Sequence, residues 1–206
     1  MASSAPSPFP TISLSLPDGS LVRARPVRPE DKPLFLTGFA RLSERSRSMR
    51  FQGGAESLDE RRLRYLTEVD HRDHVAWGVL DGEEAVAVGR WIRLPDPARA
   101  DLAVTVVDDH QGRGIGTTLV QLLALTARHR GVATLEFEML AENQPMIRVV
   151  ERLGGTISFQ GREAVGVLDT AAVPPPPVVN GDPLALLDEA AHPSSGSNSN
   201  ANELTQ

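Results

Sequence analysis

Residues 101–116 read D-L-A-V-T-V-V-D-D-H-Q-G-R-G-I-G, and residues 117–130 behind them carry apolar side chains at helical spacing. An apolar strand running through a glycine-rich turn into an amphipathic helix constrains the fold more than any other stretch of the chain. Gly112, Gly114 and Gly116 have no Cβ, so the turn folds tightly and its N–H groups face one point at the positive end of the helix dipole. A pyrophosphate fits such a point. Spacing separates the ligands that use this device. A Rossmann turn needs G-x-G-x-x-G early in a βαβ unit with an acid about 20 residues on, and a P-loop needs lysine followed by Ser or Thr. Here the spacing is G-x-G-x-G, and the single lysine, Lys32, lies far upstream.

The 206 residues, 40% of them hydrophobic, are enough for one soluble domain with a sizeable core. There is no cysteine, which excludes disulfides, thiolate metal sites and a cysteine nucleophile. No apolar run reaches the roughly 20 residues that cross a bilayer, and the N-terminus lacks a signal-like start, so a cytoplasmic location is expected. The net charge is −6, with the acids Asp182, Asp188, Glu189 and Glu203 and no Lys or Arg beyond Ala171. Bulk charge therefore attracts neither nucleic acid nor an anionic membrane.

Hydrophobic periodicity predicts the order β-α-α-β-β-β-α-β-α-β-β, an α/β or α+β mixed sheet. The first strand falls at residues 20–28, and Pro29 opens a helix with Leu34, Phe35, Leu36, Phe39 and Leu42 on its apolar side. Ser43 and Ser57 read as N-caps, the second for a helix over residues 58–69. Residues 74–80 and 84–94 form a hairpin turning at Gly82, and residues 156–168 form another turning near Gly161. Residues 1–17 are expected to be flexible, 18–171 to form the one domain, and 172–206 to be a disordered tail in which residues 184–191 form at most a transient helix.

The run Gln111-Gly112-Arg113-Gly114-Ile115-Gly116 resembles the Q/R-x-x-G-x-G/A coenzyme A signature of the GNAT superfamily of N-acetyltransferases. The resemblance extends over about residues 21–168. R-P-V-R-P-E-D at 25–31, F-A-R-L-S-E-R-S-R-S-M-R-F at 39–51 and A-E-N-Q-P-M at 141–146 are similar to the GNAT module of bacterial protein lysine acetyltransferases. It implies the GNAT fold, a twisted mixed sheet of about six to seven strands flanked by helices. It further implies acetyl-CoA as co-substrate and a primary amine, in this subfamily a protein lysine, as acceptor, with direct transfer between them. Acetylation of a small amine or amino acid, and a non-catalytic acyl-CoA-binding regulatory module, are the alternative functions.

The resemblance also assigns residues. Gln111, Gly112, Arg113, Gly114, Ile115, Gly116 and Thr117 would hold the pyrophosphate through backbone N–H groups. The strand around Val106 would splay from its neighbour and offer its backbone to the pantetheine arm and thioester carbonyl. Asn143 stands where relatives contact pantetheine; it also reads as the N-cap of the next helix, and the two roles are compatible. The Arg113 guanidinium has two readings, a phosphate partner or a solvated side chain. Ile115, Leu119, Leu122, Leu123 and Leu125 read as core.

Lysine-acetylating relatives carry a glutamate ten residues ahead of the Gln, and Asp101 occupies that position here. As catalytic base it is one methylene shorter and would act through a water; an ordinary surface aspartate is the other reading. Glu136 and Glu138 share a strand face and are alternative bases. Many GNAT enzymes place a tyrosine acid where this chain has Val150. Among the histidines, His71 and His74 read as a solvated loop and no metal site is assigned, His110 reads as loop surface, and His129 complements a helix C-terminus.

Overall fold

The computed structural model of the chain describes residues 9–51 and 57–192. Nine strands run through the described residues: β1 (Ile12–Ser15), β2 (Leu21–Pro26), β3 (His74–Asp81), β4 (Glu84–Arg93), β5 (Arg99–Val106), β6 (Thr134–Leu140), β7 (Thr156–Gln160), β8 (Glu163–Asp169) and β9 (Val178–Asn180). They form one sheet in the order β7-β8-β6-β5-β4-β3-β2-β1-β9. Neighbours are antiparallel except β5 and β6, which are parallel and joined by a helical crossover. Six helices accompany them: α1 (Lys32–Ala40), α2 (Glu44–Phe51), α3 (Glu60–Thr67), α4 (Ile115–His129), α5 (Gln144–Arg152) and α6 (Pro183–Ala191). Both predicted hairpins form, with Gly82 and Gly161 at positive φ in their turns.

The sheet exceeds the expected six to seven strands because two segments expected to be loose are built into it. In β1 the alternation of Ile12 and Leu14 with serine is a half-buried strand pattern, and both apolar side chains are fully buried. Proline and serine around it obscure that signal. Residues 172–192 carry four consecutive prolines, yet Val173 and Leu187 enter the core already built by the rest of the chain. Gly181, at φ +87, turns β9 into α6, which Asp182 caps by accepting the N–H groups of Leu184 and Ala185. Burial in a pre-existing groove offsets the ordering entropy that composition alone suggests would win. Residues 1–8 and 193–206, also expected to be loose, lie outside the described residues.

Two helix starts differ from the periodicity. Pro29–Asp31 is a 3-10 turn, and Asp31 is turned inward, where Arg25 donates to both its carboxylate oxygens at 2.6 and 2.8 Å. The first α-helix therefore begins at Lys32. Ser43 caps α2, its Oγ accepting the Ser46 N–H, but α3 is capped by Asp59, which accepts the Arg62 N–H at 2.7 Å, and not by Ser57. A carboxylate in that position also meets the helix dipole.

The sheet faces are covered unequally. On one face α4 lies across β4 and β5, with α5 and α6 beside it. Leu119, Leu122 and Leu123 are fully buried there with Trp77 and Trp91, and the Trp91 indole donates to Thr126 Oγ1 at 3.1 Å. Gly89 lets α4 approach this closely: a Cβ on it would stand 2.6 Å from Leu123 Cδ1. On the other face α1 has no buried residue, and Leu58, Leu63 and Leu66 form a separate small cluster. An apolar cavity of about 90 Å³ lies beneath α1, bounded by Leu34, Phe35, Phe39 and Leu66 among others.

Candidate functional site: a cleft between two parting strands

β5 is paired with β4 as far as Val106, and β6 is paired with β8 along its whole length. Between β5 and β6 only three pairs form, Arg99 with Thr134, Ala100 with Leu135 and Asp101 with Glu136. Beyond them the strands separate, so residues 102–106 of β5 have no strand neighbour on that side. A cleft of about 740 Å³ occupies the gap, with β5 from Leu102 to Val106 along one wall and Phe137, Glu138 and Met139 on the other. Its end is closed by the glycine loop.

The loop leaves β5 at Val107, makes a 3-10 turn over Asp108–His110 and enters α4 at Ile115, two residues earlier than the sequence predicts. Gly112 and Gly114 have φ of +81 and +93, the left-handed region that glycine alone enters without strain. They serve different ends. A Cβ on Gly112 would meet nothing within 4 Å, whereas one on Gly114 would meet the Pro17 ring at 2.6 Å. The first backbone bond of α4 runs from Thr118 N–H to the Gly114 carbonyl, which leaves the N–H groups of Ile115, Gly116 and Thr117 outside the helix ladder. These three residues line the cleft, and the buried Ile115 side chain is core, as expected.

Side chains brace the loop instead of reaching into the cleft. Arg113 turns away: Nη1 donates to Asp81 at 2.7 Å, Nη2 to Ser20 at 3.2 Å, and Asp18 lies at 3.7 Å. Carboxylates of the neighbouring turns hold its guanidinium, and the Asp81 hydrogen bond raises its pKa. Gln111 Nε2 donates back to the Val106 carbonyl at 3.1 Å, holding the loop against the end of β5. Arg41, just after α1, donates to Asp109 at 2.7 and 2.9 Å and pairs with Glu84 at 3.2 Å. The Arg41 guanidinium, with His110 second, holds the Asp109 carboxyl down at about 2. The Ser43 N–H donates to Asp108 at 3.3 Å. The corner between α1 and α2 is thus tied to the same loop.

Asp101 is half-buried at the last residue pair before the strands part, one residue short of the β5 segment that lines the cleft. Glu136, beside it on β6, is engaged by Arg99. Glu138, two residues further along the same face, is exposed and lines the cleft. Asn143 lines the cleft and caps α5, its Oδ1 accepting the Met146 N–H at 3.3 Å, which bears out the N-cap reading. Val150 is fully buried between Gly155 and Gly166 and faces the core.

The histidines are otherwise employed. His71 is buried at φ +55 and donates from Nε2 to the Val27 carbonyl at 2.9 Å, so the solvated-loop reading fails for it. His74 Nε2 lies 3.1 Å from Arg90 Nη1; burial, with the Arg90 charge second, pushes its pKa down to about 4. His110 sits between Asp109 and Asp81 and also lines the cleft. His129 pairs with Asp188 of α6 at 3.2 Å, an interaction the sequence did not disclose. Among the described residues no group of three or more His, Asp or Glu is placed to hold a metal ion, and no helix is long and apolar enough to cross a membrane.

Sequence reasoning missed Arg45, Arg148 and Arg152, which line the cleft from α2 and α5. The spacing of Arg148 and Arg152 places them on one stripe of α5, but periodicity reveals only that the stripe is solvated and not what it borders.

Residues 22–156 match the model of the acetyltransferase (GNAT) domain family. The chain is 34% identical over 182 residues to acetyltransferase Pat of Mycolicibacterium smegmatis, an alignment covering 86% of this chain and 53% of that protein. A Pseudomonas aeruginosa acetyltransferase is 32% identical over 136 residues, 64% of this chain and 73% of that one. Among solved structures, the GNAT domain of S. lividans PAT superposes with a TM-score of 0.74 at 28% identity, over 78% of this chain and 99% of that domain. A cAMP-binding acyltransferase from Mycobacterium smegmatis superposes with a TM-score of 0.57 at 30% identity, over 88% of this chain and 52% of that one. The chain thus spans about half the length of the M. smegmatis proteins it matches. The glycine loop, the parted strands and the family match converge on one assignment: the chain belongs to the GNAT acetyltransferase family.

Proposed function

We propose that the chain is an acetyl-CoA-dependent N-acetyltransferase that transfers acetyl directly to a primary amine, in the first instance a protein lysine. The observation that carries this reading is the unpaired β5 edge from 102 to 106 leading into a glycine loop whose N–H groups stand outside the helix ladder. A thin chain ending in a diphosphate matches both parts. The residues fit it: a Cβ on Gly112 would meet nothing within 4 Å, one on Gly116 would lie 3.8 Å from Val106 Cγ2, and the N–H groups of Ile115, Gly116 and Thr117, outside the helix ladder, are donors for a diphosphate. Gln111, through its hold on Val106, keeps the loop in place.

When bound, acetyl-CoA supplies an acyl carbon joined to a thiol of pKa about 8.5, a competent leaving group. The protein's own work lies on the amine. A lysine ammonium of pKa about 10.4 is almost wholly charged at neutral pH and must lose a proton before it attacks. Asp101 stands at the fork of the strands, and we assign it as the base, acting through a water because its side chain is short. Glu138 is the competing carboxylate, being the one exposed to the cleft. Together with Asp101 it makes the acceptor end of the cleft acidic, which suits a cationic lysine. Val150 is in the core, so thiolate protonation falls to water.

The test is to incubate the purified chain with acetyl-CoA and a lysine-bearing protein, following CoA release and a mass gain of one acetyl group. Turnover is expected; tight CoA binding without turnover on any amine would leave a non-catalytic binding module. Asp101→Asn should depress the rate with little change in cofactor affinity, and Asp101→Glu, which restores the missing methylene, should retain or raise it. An unchanged pH–rate profile in Asp101→Asn, with loss of activity in Glu138→Gln, would transfer the base role to Glu138. A small-amine acceptor is the second reading, favoured by similarity to a protein named mycothiol acetyltransferase, 28% identical over 68% of this chain.

A further inference from the structure

Among the described residues Arg23, Arg25, Arg41, Arg64, Arg93, Arg99, Arg113 and Arg130 each meet a carboxylate. Arg148 and Arg152 do not. Both are exposed, both line the cleft from α5, and among the described residues neither has an ion-pair partner. Four residues apart, they project from the same side of the helix. In a chain of net charge −6, these two guanidinium groups, with that of Arg45, which is also exposed and without an ion-pair partner among the described residues, line one cleft and create a local field opposite in sign to the whole. Met146 and Val149 lie on the same helix, half-buried and lining the same cleft, and offer an apolar shelf next to the two cations.

The diphosphate position is already served by the backbone donors of the glycine loop, so these arginines have no part in it. Coenzyme A carries a second anionic group, the phosphate on its ribose 3′ oxygen, close to a dianion at neutral pH because its second pKa is about 6. The flat purine attached to that ribose requires apolar surface. We propose that Arg148 and Arg152 are the site for the 3′-phosphate of coenzyme A, with Met146 and Val149 beneath the adenine. This rests on the cofactor reading given above and adds a specificity: the protein distinguishes coenzyme A from its 3′-dephospho form. A guanidinium pairs with phosphate oxygens in a bidentate manner, and two exposed pairs of this kind support a discrimination of about tenfold, diminishing with salt.

The experiment is calorimetric titration of the full chain with coenzyme A and with dephospho-coenzyme A, at low and high salt. Wild type should bind coenzyme A about tenfold more tightly at low salt, and Arg148→Gln/Arg152→Gln should bring the two ligands to within about twofold, by loss of affinity for coenzyme A alone. Arg45→Gln, which removes a cleft charge from α2, should leave the preference intact and thereby exclude a bulk charge effect. In turnover, the double variant should raise KM for acetyl-CoA and leave kcat in place. Equal affinities in wild type, with both ligands binding, would overturn the proposal while sparing the cofactor reading. Failure of both ligands to bind wild type would overturn both. A double variant that keeps the ligand preference but raises KM for the protein acceptor would place the arginines on the acceptor, and this too would overturn the proposal.

Discussion

The two faces of the sheet follow different rules. Under α4 the core is apolar and closed: Leu119, Leu122, Leu123, Trp77 and Trp91 are fully buried, and Gly89 has been kept free of a side chain so that helix and strand can touch. Under α1 the same sheet is covered loosely, over an apolar cavity, with a buried Arg25–Asp31 pair and the buried Arg90 among its lining. The dense face carries the helix whose start forms the glycine loop; the loose face is covered by α1, and α2, which follows it, lines the cleft. On the proposed reading, the close packing lies under the loop that would meet the diphosphate, and the looser packing lies under α1.

Five substitutions or titrations test this difference between the faces, in order of decreasing effect. Asp31→Ala leaves the Arg25 guanidinium buried without its carboxylate and should cost about 3–5 kcal/mol in urea unfolding. A loss under 1 kcal/mol would mean that water reaches Arg25 and that the loose face is more open than described. Leu122→Ala removes a fully buried side chain from the dense face, and about 2–5 kcal/mol is expected by the same measurement. Gly114→Ala combines a left-handed backbone with a collision against Pro17; about 1–2 kcal/mol of strain is expected, with a loss of coenzyme A affinity exceeding the loss of stability. Affinity unchanged in a folded Gly114→Ala protein would separate the loop from the ligand.

The fourth concerns pH. His74 is held neutral, its pKa lowered from about 6.5 in the unfolded chain to about 4 in the folded protein. Between those values the unfolded chain binds the extra proton, so the folded state loses stability as pH falls from 6.5 toward 4. Urea midpoints across that window should fall less in His74→Gln than in wild type, and parallel curves would remove His74 from the loose face's acid sensitivity. The smallest effect is Leu36→Ala on α1, where the side chain is 48% exposed and the change should stay within about 0.5 kcal/mol.

Much of this architecture was legible because its signals are local. The strand, glycine turn and helix at 101–130 announce themselves by spacing, and so do both hairpins. What stayed hidden depends on distant partners. Whether Arg113 reaches a phosphate is decided by Asp81 and Asp18, which lie far from it in sequence. The ordering of residues 172–192 is decided by a groove on α4 and β2 that composition does not encode. The identity of the α3 cap was obscured because Ser57 and Asp59 are both good capping residues, and only the backbone path selects between them. Asp101 was placed by its offset from Gln111, but its position just short of the cleft follows from where β5 and β6 cease to pair.

That cessation has one more consequence. A sheet ordinarily exposes unsatisfied peptide groups only along its two outer rims, where any stray strand can add itself and seed aggregation. Here a third rim opens in the interior, between the fifth and sixth strands, recessed behind α2 and α5. A foreign polypeptide meets helices before it meets that rim, whereas a slender molecule slides in. Whatever fills the slot and binds only the folded chain stabilises the fold, so the protein's melting temperature should climb with the logarithm of ligand concentration, even past saturation.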